Sequence, residues 1–239
     1  MQHRVSFTGL QMLTDLMNYT LKIAEILFYI FITCSFFYTK AQSDSANSFL
    51  PDYNVDSLRN IYGVHKHLLK EYELQTLVAL SYYPELLYEH VRFKYGTINS
   101  TAQTTVTLGS IFKKIAKQYI IIINNDIKKT GLLLSDAPFE AQVALIGHEL
   151  SHVIDFKKRG FFDMAWWGIS YLVVKQRTKI EIRADKSAIR HELGWPLYYW
   201  ADFVLNHSKA NKRYKRMKEK KYMQPDEILN YMKEYQNKN

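Results

Sequence analysis

The stretch 145-LIGHELSHVIDF-156 places two histidines four residues apart in a largely apolar setting, with a glutamate directly after the first. On an α-helix, His148 and His152 lie one turn apart and point in nearly the same direction. Their imidazole nitrogens can then converge on one tetrahedral ion, a geometry that Zn²⁺ accepts. Glu149 points away from this pair, so it is placed to accept a proton from water in an open ligand position rather than to bind the ion.

A different interpretation treats the two histidines as hydrogen-bonded core residues of a half-buried helix. The chain contains 8 histidines, and the pattern His-Glu-x-x-His arises by chance in about 1% of shuffled sequences of this composition. This frequency does not exclude coincidence, so a third ligand has to decide between the two interpretations. Downstream, the stretch 181-EIRADKSA-188 carries Glu181 and Asp185 four residues apart, which places both carboxylates on one face of a predicted helix.

Residues 121–188 resemble the gluzincin metallopeptidases, in which an H-E-x-x-H helix is followed by a second helix carrying E-x-x-x-D. The resemblance implies that Glu181 is the third zinc ligand and that Asp185 is hydrogen-bonded to a ligand histidine. The run D-x-x-A that ends at Ala188 is most similar to the subgroup of CAAX-prenyl-protease and HtpX-like enzymes. In contrast to many of these enzymes, the sequence has no series of transmembrane segments. The glycine and third histidine that metzincins require are also missing.

These roles also agree with the chemistry of the residues. Glu181 completes a set of two histidines and one carboxylate that leaves a position for water, as in catalytic zinc sites. Asp185 can accept a hydrogen bond from an imidazole N–H and so fix the tautomer of that histidine. We therefore expect a zinc metallopeptidase that hydrolyses a peptide or protein substrate, with Glu149 as the general base.

Two functions of other classes stay open at this point. The chain can be a zincin-like module that binds metal without catalysis, or a non-enzymatic surface protein that binds anions. Weaker candidates for contact with the substrate are His191, nearly two helical turns after Asp185, and the hydroxyl groups of Tyr198 and Tyr199, which can donate to an oxyanion.

Hydrophobic periodicity predicts an α+β domain over residues 56–207. Three strands are predicted in 88-YEHVRFKYG-96, 104-TTVTLG-109 and 117-KQYIIIINND-126, and they form a small mixed or antiparallel sheet packed on the active-site helix, with further helices around it. By analogy with zincins, the strand in YIIIINN is expected to align an extended peptide by edge pairing.

Cap and stop residues predict where the helices begin and end. An amphipathic helix is predicted from Asp56 to Tyr72 because apolar residues recur at three- and four-residue spacing. The active-site helix is expected to begin at Ser135 or Asp136 and to run for about twenty residues. A later helix is expected to end at Gly194.

The N-terminal part of the chain is typical of an exported protein. Residues 1–41 are predicted to be a signal peptide, with an uncleaved membrane anchor over residues 21–38 as the alternative, and residues 42–55 read as a linker. The single cysteine, Cys34, lies in the apolar segment. The cleaved chain would therefore be secreted or periplasmic, without disulfides, and would bind metal through nitrogen and oxygen atoms.

Positive charge is concentrated at the other end of the chain. The formal net charge is +9, and residues 208–239 contain ten Lys and Arg against four Asp and Glu. We predict a basic C-terminal tail that is solvated or contacts anionic lipid or polysaccharide. Nucleic acid is not the expected partner because no nucleic-acid-binding motif accompanies the basic residues.

Overall fold

A four-stranded mixed sheet with a long helix packed against it forms the centre of the molecule. The structure is a computed structural model, and it describes residues 53–107, 117–160, 163–164, 166 and 174–238. The predicted signal peptide or anchor, and nearly all of the predicted linker, lie outside these residues. No helix in the described part of the chain is long and apolar enough to span a membrane.

The sheet has the strand order β1-β2-β4-β3, and its strands are β1 (Lys66–His67), β2 (His90–Gly96), β3 (Ala102–Val106) and β4 (Gln118–Asn124). Strand β2 pairs in parallel with β1 and β4, whereas β3 pairs antiparallel to β4. The predicted α+β class with a small mixed sheet is therefore confirmed. Every second residue of β4 from Tyr119 to Ile123 is buried, as expected for a strand with one face on the core.

The run YIIIINN forms β4, and the prediction that this strand aligns a substrate peptide by edge pairing is wrong. Its backbone pairs with β2 on one side and with β3 on the other. Strand β4 therefore has no free edge for a peptide. A continuous β-branched run is typical of such a strand, which is covered by its neighbours. Strand β3 has the edge position in the described sheet.

The structure gives bounds for eight helices, and short 3₁₀ or π-helical turns lie between some of them. They are α1 (Val55–Tyr62), α2 (Glu73–Ser81), α3 (Ile127–Thr130), α4 (Phe139–Lys158), α5 (Val174–Ala188), α6 (Gly194–Asp202), α7 (Lys212–Lys221) and α8 (Pro225–Gln236). Helix α4 is the centre of this set and contacts α2, α5, α6 and β3.

Helix α4 has the predicted length of 20 residues but begins three residues after the later of the two predicted caps. Ser135 and Asp136 belong to a separate 3₁₀ turn, where the Asp136 carboxylate accepts a hydrogen bond from the N–H of Leu133 at 2.8 Å. The helix then starts after Pro138, whose fixed φ suits the position that precedes a first turn.

The first predicted helix is correct only in its first half. It ends at Tyr62, where the N–H of Gly63 closes the last turn on the carbonyl of Arg59. His65 then has a positive φ of 59°, and the chain continues into β1 instead of a helix. Apolar spacing alone does not separate one long helix from a helix, a turn and a short strand.

Gly194 begins helix α6 and does not end the preceding helix, contrary to the prediction. The chain bends two residues earlier, at Glu192, which has a positive φ of 64°. Gly194 itself is helical, and a Cβ at this position would lie 2.7 Å from the sulfur of Met232. Its lack of a side chain therefore allows α8 to pack closely on α6.

The C-terminal segment differs from the predicted tail because it is folded onto the domain. Residues 208–238 contain α7 and α8, and α7 contacts α5 while α8 contacts α6. Tyr214, Lys218, Met223 and Ile228 are buried in these contacts. Most of the basic residues of this segment therefore lie on two helices of the domain, which also carry the buried positions.

Candidate metal centre

Two neighbouring helices bring three potential metal ligands to one point. Nε2 of His148 and Nε2 of His152, both on α4, each lie 3.3 Å from Oε2 of Glu181 on α5. All three residues are buried, and in the described part of the chain they form the group of His, Cys, Asp and Glu side chains that can hold a metal ion. The predicted ligands therefore meet in space.

The spacing of these atoms fits a metal ion. Two ligand atoms that are each about 2.0–2.1 Å from one ion at the tetrahedral angle lie about 3.3–3.4 Å apart. Both measured separations from Glu181 to a histidine nitrogen have this value. Nitrogen and carboxylate donors in this number suit a divalent transition metal and leave a position for a further ligand.

Close packing around α4 holds the histidines in place. The hydroxyl of the buried Tyr83 lies 2.7 Å from the carbonyl oxygen of Gly147, the residue before His148, and donates to it. On the same glycine, a Cβ would lie 2.2 Å from the side chain of Leu193. Gly147 therefore allows the bend after α5 to pack against α4 beside the first histidine.

Asp185 orients His148. One carboxylate oxygen of Asp185 lies 2.8 Å from Nδ1 of His148, and the other accepts the backbone N–H of Met223 at 2.9 Å. An ionised carboxylate has no hydrogen to donate, so Nδ1 carries the proton of this bond. Nε2 of His148 is then the nitrogen available to an ion. The predicted contact of Asp185 with a histidine is present in the structure.

The carboxylates around His148 favour its protonated form when no metal is bound. Burial lowers the pKa of His148, but Asp185 and Glu181 outweigh this effect and raise it to about 10. For Glu181, burial raises the pKa, but the hydrogen bonds to His148 and His152 outweigh burial and hold the pKa well below its usual range. Without metal, these contacts therefore favour an imidazolium at His148 beside the carboxylate of Glu181.

This charge state predicts that metal binding releases a proton. Because the pKa of His148 is about 10, the metal-free protein carries the extra proton at neutral pH, and an ion at Nε2 must displace it. We expect about one proton per ion from this group near pH 7.5, and an apparent affinity that falls as the pH falls below the pKa of His148. Calorimetry of zinc binding in buffers with different ionisation enthalpies measures this number.

The Asp185→Asn variant is the control for this measurement, because removal of the charge lowers the pKa of His148 and fewer protons should be released. Heats of zinc binding that do not depend on the buffer in the unchanged protein would contradict the charge state.

Glu149 lies next to the ligand group without being part of it. It is 4% exposed, and one of its carboxylate oxygens accepts a hydrogen bond from the hydroxyl of Thr104 at 2.7 Å. Together with His152 and Glu181, it lines an open cleft. The volume of this cleft, counted with its open mouth, is about 630 Å³. The carboxylate therefore borders the space beside the potential ion, as the H-E-x-x-H pattern predicts.

The edge strand β3 forms one wall of this cleft. Residues from helices that are distant in sequence also line it. Residues of β3 from Ala102 to Val106 line it, and so do Arg177 on α5 and Tyr222, which follows α7. The ring of Tyr222 lies 5.6 Å from that of His148, and the Nζ atom of Lys218 lies 3.6 Å from the centre of the Tyr222 ring.

Sequence reasoning missed Thr104, Arg177 and Tyr222. Arg177 precedes Glu181 by one helical turn, so the helix period offered a signal for it. Thr104 and Tyr222 have no local signal, because a strand and a helix end far apart in the chain bring them to the cleft.

Three weaker candidates are not among the residues that line the cleft. The ring of His191 stacks on Tyr83 at 4.3 Å, and its Nε2 lies 3.2 Å from a carboxylate oxygen of Glu85. Tyr198 and Tyr199 pack against Trp195 on α6. The backbone is not helical at residues 191–192, so His191 does not continue the helical turns that begin from Asp185.

Comparisons of the chain with protein-family models, curated proteins and solved structures found no match. Five residues of the site then remain to be interpreted, which are His148, Glu149, His152, Glu181 and Asp185. The geometry of these five residues is the basis for an assignment of function.

Proposed function

We propose that this protein is a zinc-dependent metallopeptidase of the gluzincin type. The observation that carries the proposal is the meeting of His148, His152 and Glu181 at one point while Glu149 stays outside the ligand group and borders the same open cleft. A structural zinc site has four protein ligands and is closed, whereas three protein ligands beside an open cleft favour catalysis.

Zinc is the metal that this ligand set favours. Two imidazole nitrogens and one carboxylate are the donors of several catalytic zinc sites. A zinc ion bound there supplies Lewis-acid chemistry to a carbonyl group and to water.

Glu149 is the proposed general base and acid. Its carboxylate would accept a proton from the attacking water and then deliver it to the leaving amine. The hydrogen bond from Thr104 occupies one carboxylate oxygen and restricts the orientation of the group. Burial of the side chain keeps bulk water from competing for the proton.

The edge position of β3 supports an extended peptide as the substrate. A peptide strand can add to the free edge of a sheet by backbone hydrogen bonds, and the described residues of β3 line the cleft along the length of that strand. Tyr222 replaces Tyr198 and Tyr199 as the proposed hydrogen-bond donor to the oxyanion. Its side chain borders the cleft, and a phenol hydroxyl can donate to a developing oxyanion.

An exported location is part of the proposal and rests on the sequence of residues 1–41. Contact of α7 with anionic lipid or polysaccharide also stays a proposal. It is supported by the seven Lys and Arg residues among the ten residues of this helix.

Metal removal and reconstitution test the proposed function. We expect the full chain, purified without chelator, to contain about one zinc ion per molecule and to cleave members of a random peptide library. A chelator should abolish cleavage, and stoichiometric zinc should restore it. Cleavage that persists in metal-free protein would contradict the proposal, and bound zinc without any cleavage would favour the non-catalytic metal-binding module.

A further inference from the structure

Arg177 adds a positive charge to the wall of the cleft. It lies one helical turn before Glu181 on α5, and its Nε atom is 4.0 Å from Oε1 of Glu181. One third of its side chain is exposed, and the residue borders the same cleft as Glu149 and His152. Arg177 therefore borders the space in which a substrate would lie.

A bound metal ion changes the balance of charge in this region. Without metal, the carboxylate of Glu181 partly neutralises Arg177 at 4.0 Å. With a divalent ion bound, the same carboxylate faces the ion. The ion and Arg177 then outweigh the two carboxylates that line the cleft, those of Glu149 and Glu181. Positive potential in a cleft attracts an anionic group to it.

We propose that Arg177 binds a carboxylate of the substrate. The inference rests on the proposed peptidase function and specifies its substrate class, which is peptides with a negative charge close to the cleaved bond. A guanidinium suits this role because its planar N–H groups bind a carboxylate in a bidentate manner. The carboxylate belongs either to the C-terminus of the peptide or to an acidic side chain.

A simpler role for Arg177 is to orient Glu181 through the contact within α5. The two roles differ in what an Arg177→Gln variant changes. Loss of substrate recognition leaves zinc content intact and raises KM for acidic peptides with little effect on KM for neutral peptides. Loss of Glu181 orientation lowers zinc affinity and affects both classes of peptide equally. Arg177→Lys should restore part of the recognition because it keeps the charge.

Peptide binding to zinc-loaded, full-length Glu149→Gln protein tests the inference without dependence on turnover. The probes are fluorescent peptides of one apolar sequence with a free or amidated C-terminus, and a second, amidated pair with Asp or Asn inside the sequence. We expect at least one charged peptide to bind about 10- to 100-fold more tightly than its neutral counterpart. A second substitution in the same protein, Arg177→Gln, should remove most of this preference.

Lys179→Gln and Lys220→Gln are the controls, because each removes one positive charge from an exposed position, on the same helix as Arg177 and on α7 respectively. They should keep the preference. Equal binding of charged and neutral peptides, or a preference that Arg177→Gln leaves unchanged, would overturn the inference. Cleavage of neutral peptides by the unchanged enzyme would at the same time leave the peptidase function intact.

The two peptide pairs separate the possible sources of the carboxylate. A preference limited to the free C-terminus would assign Arg177 to an exopeptidase that works near the C-terminal end. A preference limited to the Asp peptide would assign it to recognition of an acidic side chain within the substrate.

Discussion

Replacement of Glu149 by glutamine should lower kcat/KM for peptide cleavage by about 10²- to 10⁴-fold while zinc content stays near one ion per chain, as expected when a general base is lost. Glutamine has the shape of glutamate but cannot accept the proton of the attacking water. Its amide oxygen can still accept the hydrogen bond that Thr104 donates to Glu149. Zinc should be retained because the side chain lies outside the ligand group. Peptide kinetics and elemental analysis measure the two quantities on the same preparation.

Glu140→Gln is the matched control for this experiment. Glu140 lies in the first turn of the same helix and is not among the residues that line the cleft. The Glu140→Gln variant should cleave peptides at the rate of the unchanged protein. If Glu149→Gln also cleaved at that rate, the activity would not come from this site, and the metal-binding module without catalysis would become the better interpretation.

Glu181→Ala should cause the largest loss of zinc among the carboxylate variants. Only two histidines would remain as ligands, and Arg177 would lose the carboxylate that lies 4.0 Å from its Nε atom. Asp185→Ala should be milder, at about 10–100-fold in zinc affinity, because its hydrogen bond orients His148 without binding the ion. Zinc titration with a competing chelator gives both affinities, and the order of the two variants is the decisive result.

Two carboxylates outside the site serve as controls for the choice of ligand. Asp155 pairs with Arg159 at the end of α4, and Glu192 is exposed at the bend after α5. Alanine at either position should leave zinc bound. Should one of these variants lose the metal while Glu181→Ala keeps it, the third ligand would be misidentified and the gluzincin assignment would have to be abandoned.

The ligand group could be predicted from the sequence because each part of it is local. His148 and His152, as well as Glu181 and Asp185, are four residues apart, and the helical period alone places each pair on one face. The spacing within each pair does not show that the two helix faces meet. The motif as a whole indicated this tertiary contact. The class of the sheet was predictable for a similar reason, since alternating and continuous apolar runs identify strands within a few residues.

The residues that were missed depend on contacts between distant parts of the chain. The edge position of β3 follows from strand order, which the period of a single strand does not contain. Tyr222 lies in a segment whose composition is that of a solvated tail, and only the burial of residues such as Tyr214 and Lys218 reveals that it folds against the domain. The break at Glu192 has no local signal, because a positive φ at glutamate is imposed by its surroundings.

The hydrogen bond between Met223 and Asp185 has a consequence for the order in which the protein matures during synthesis. The three ligand residues all precede Met223 in the chain, so a growing chain contains them before the backbone group that fixes Asp185 exists. Hydrogen-bond partners of the groups that orient a metal-binding histidine contribute to metal affinity. A nascent chain that stops before Met223 should therefore hold metal weakly and cleave little, which would delay hydrolytic activity until translation has passed this turn.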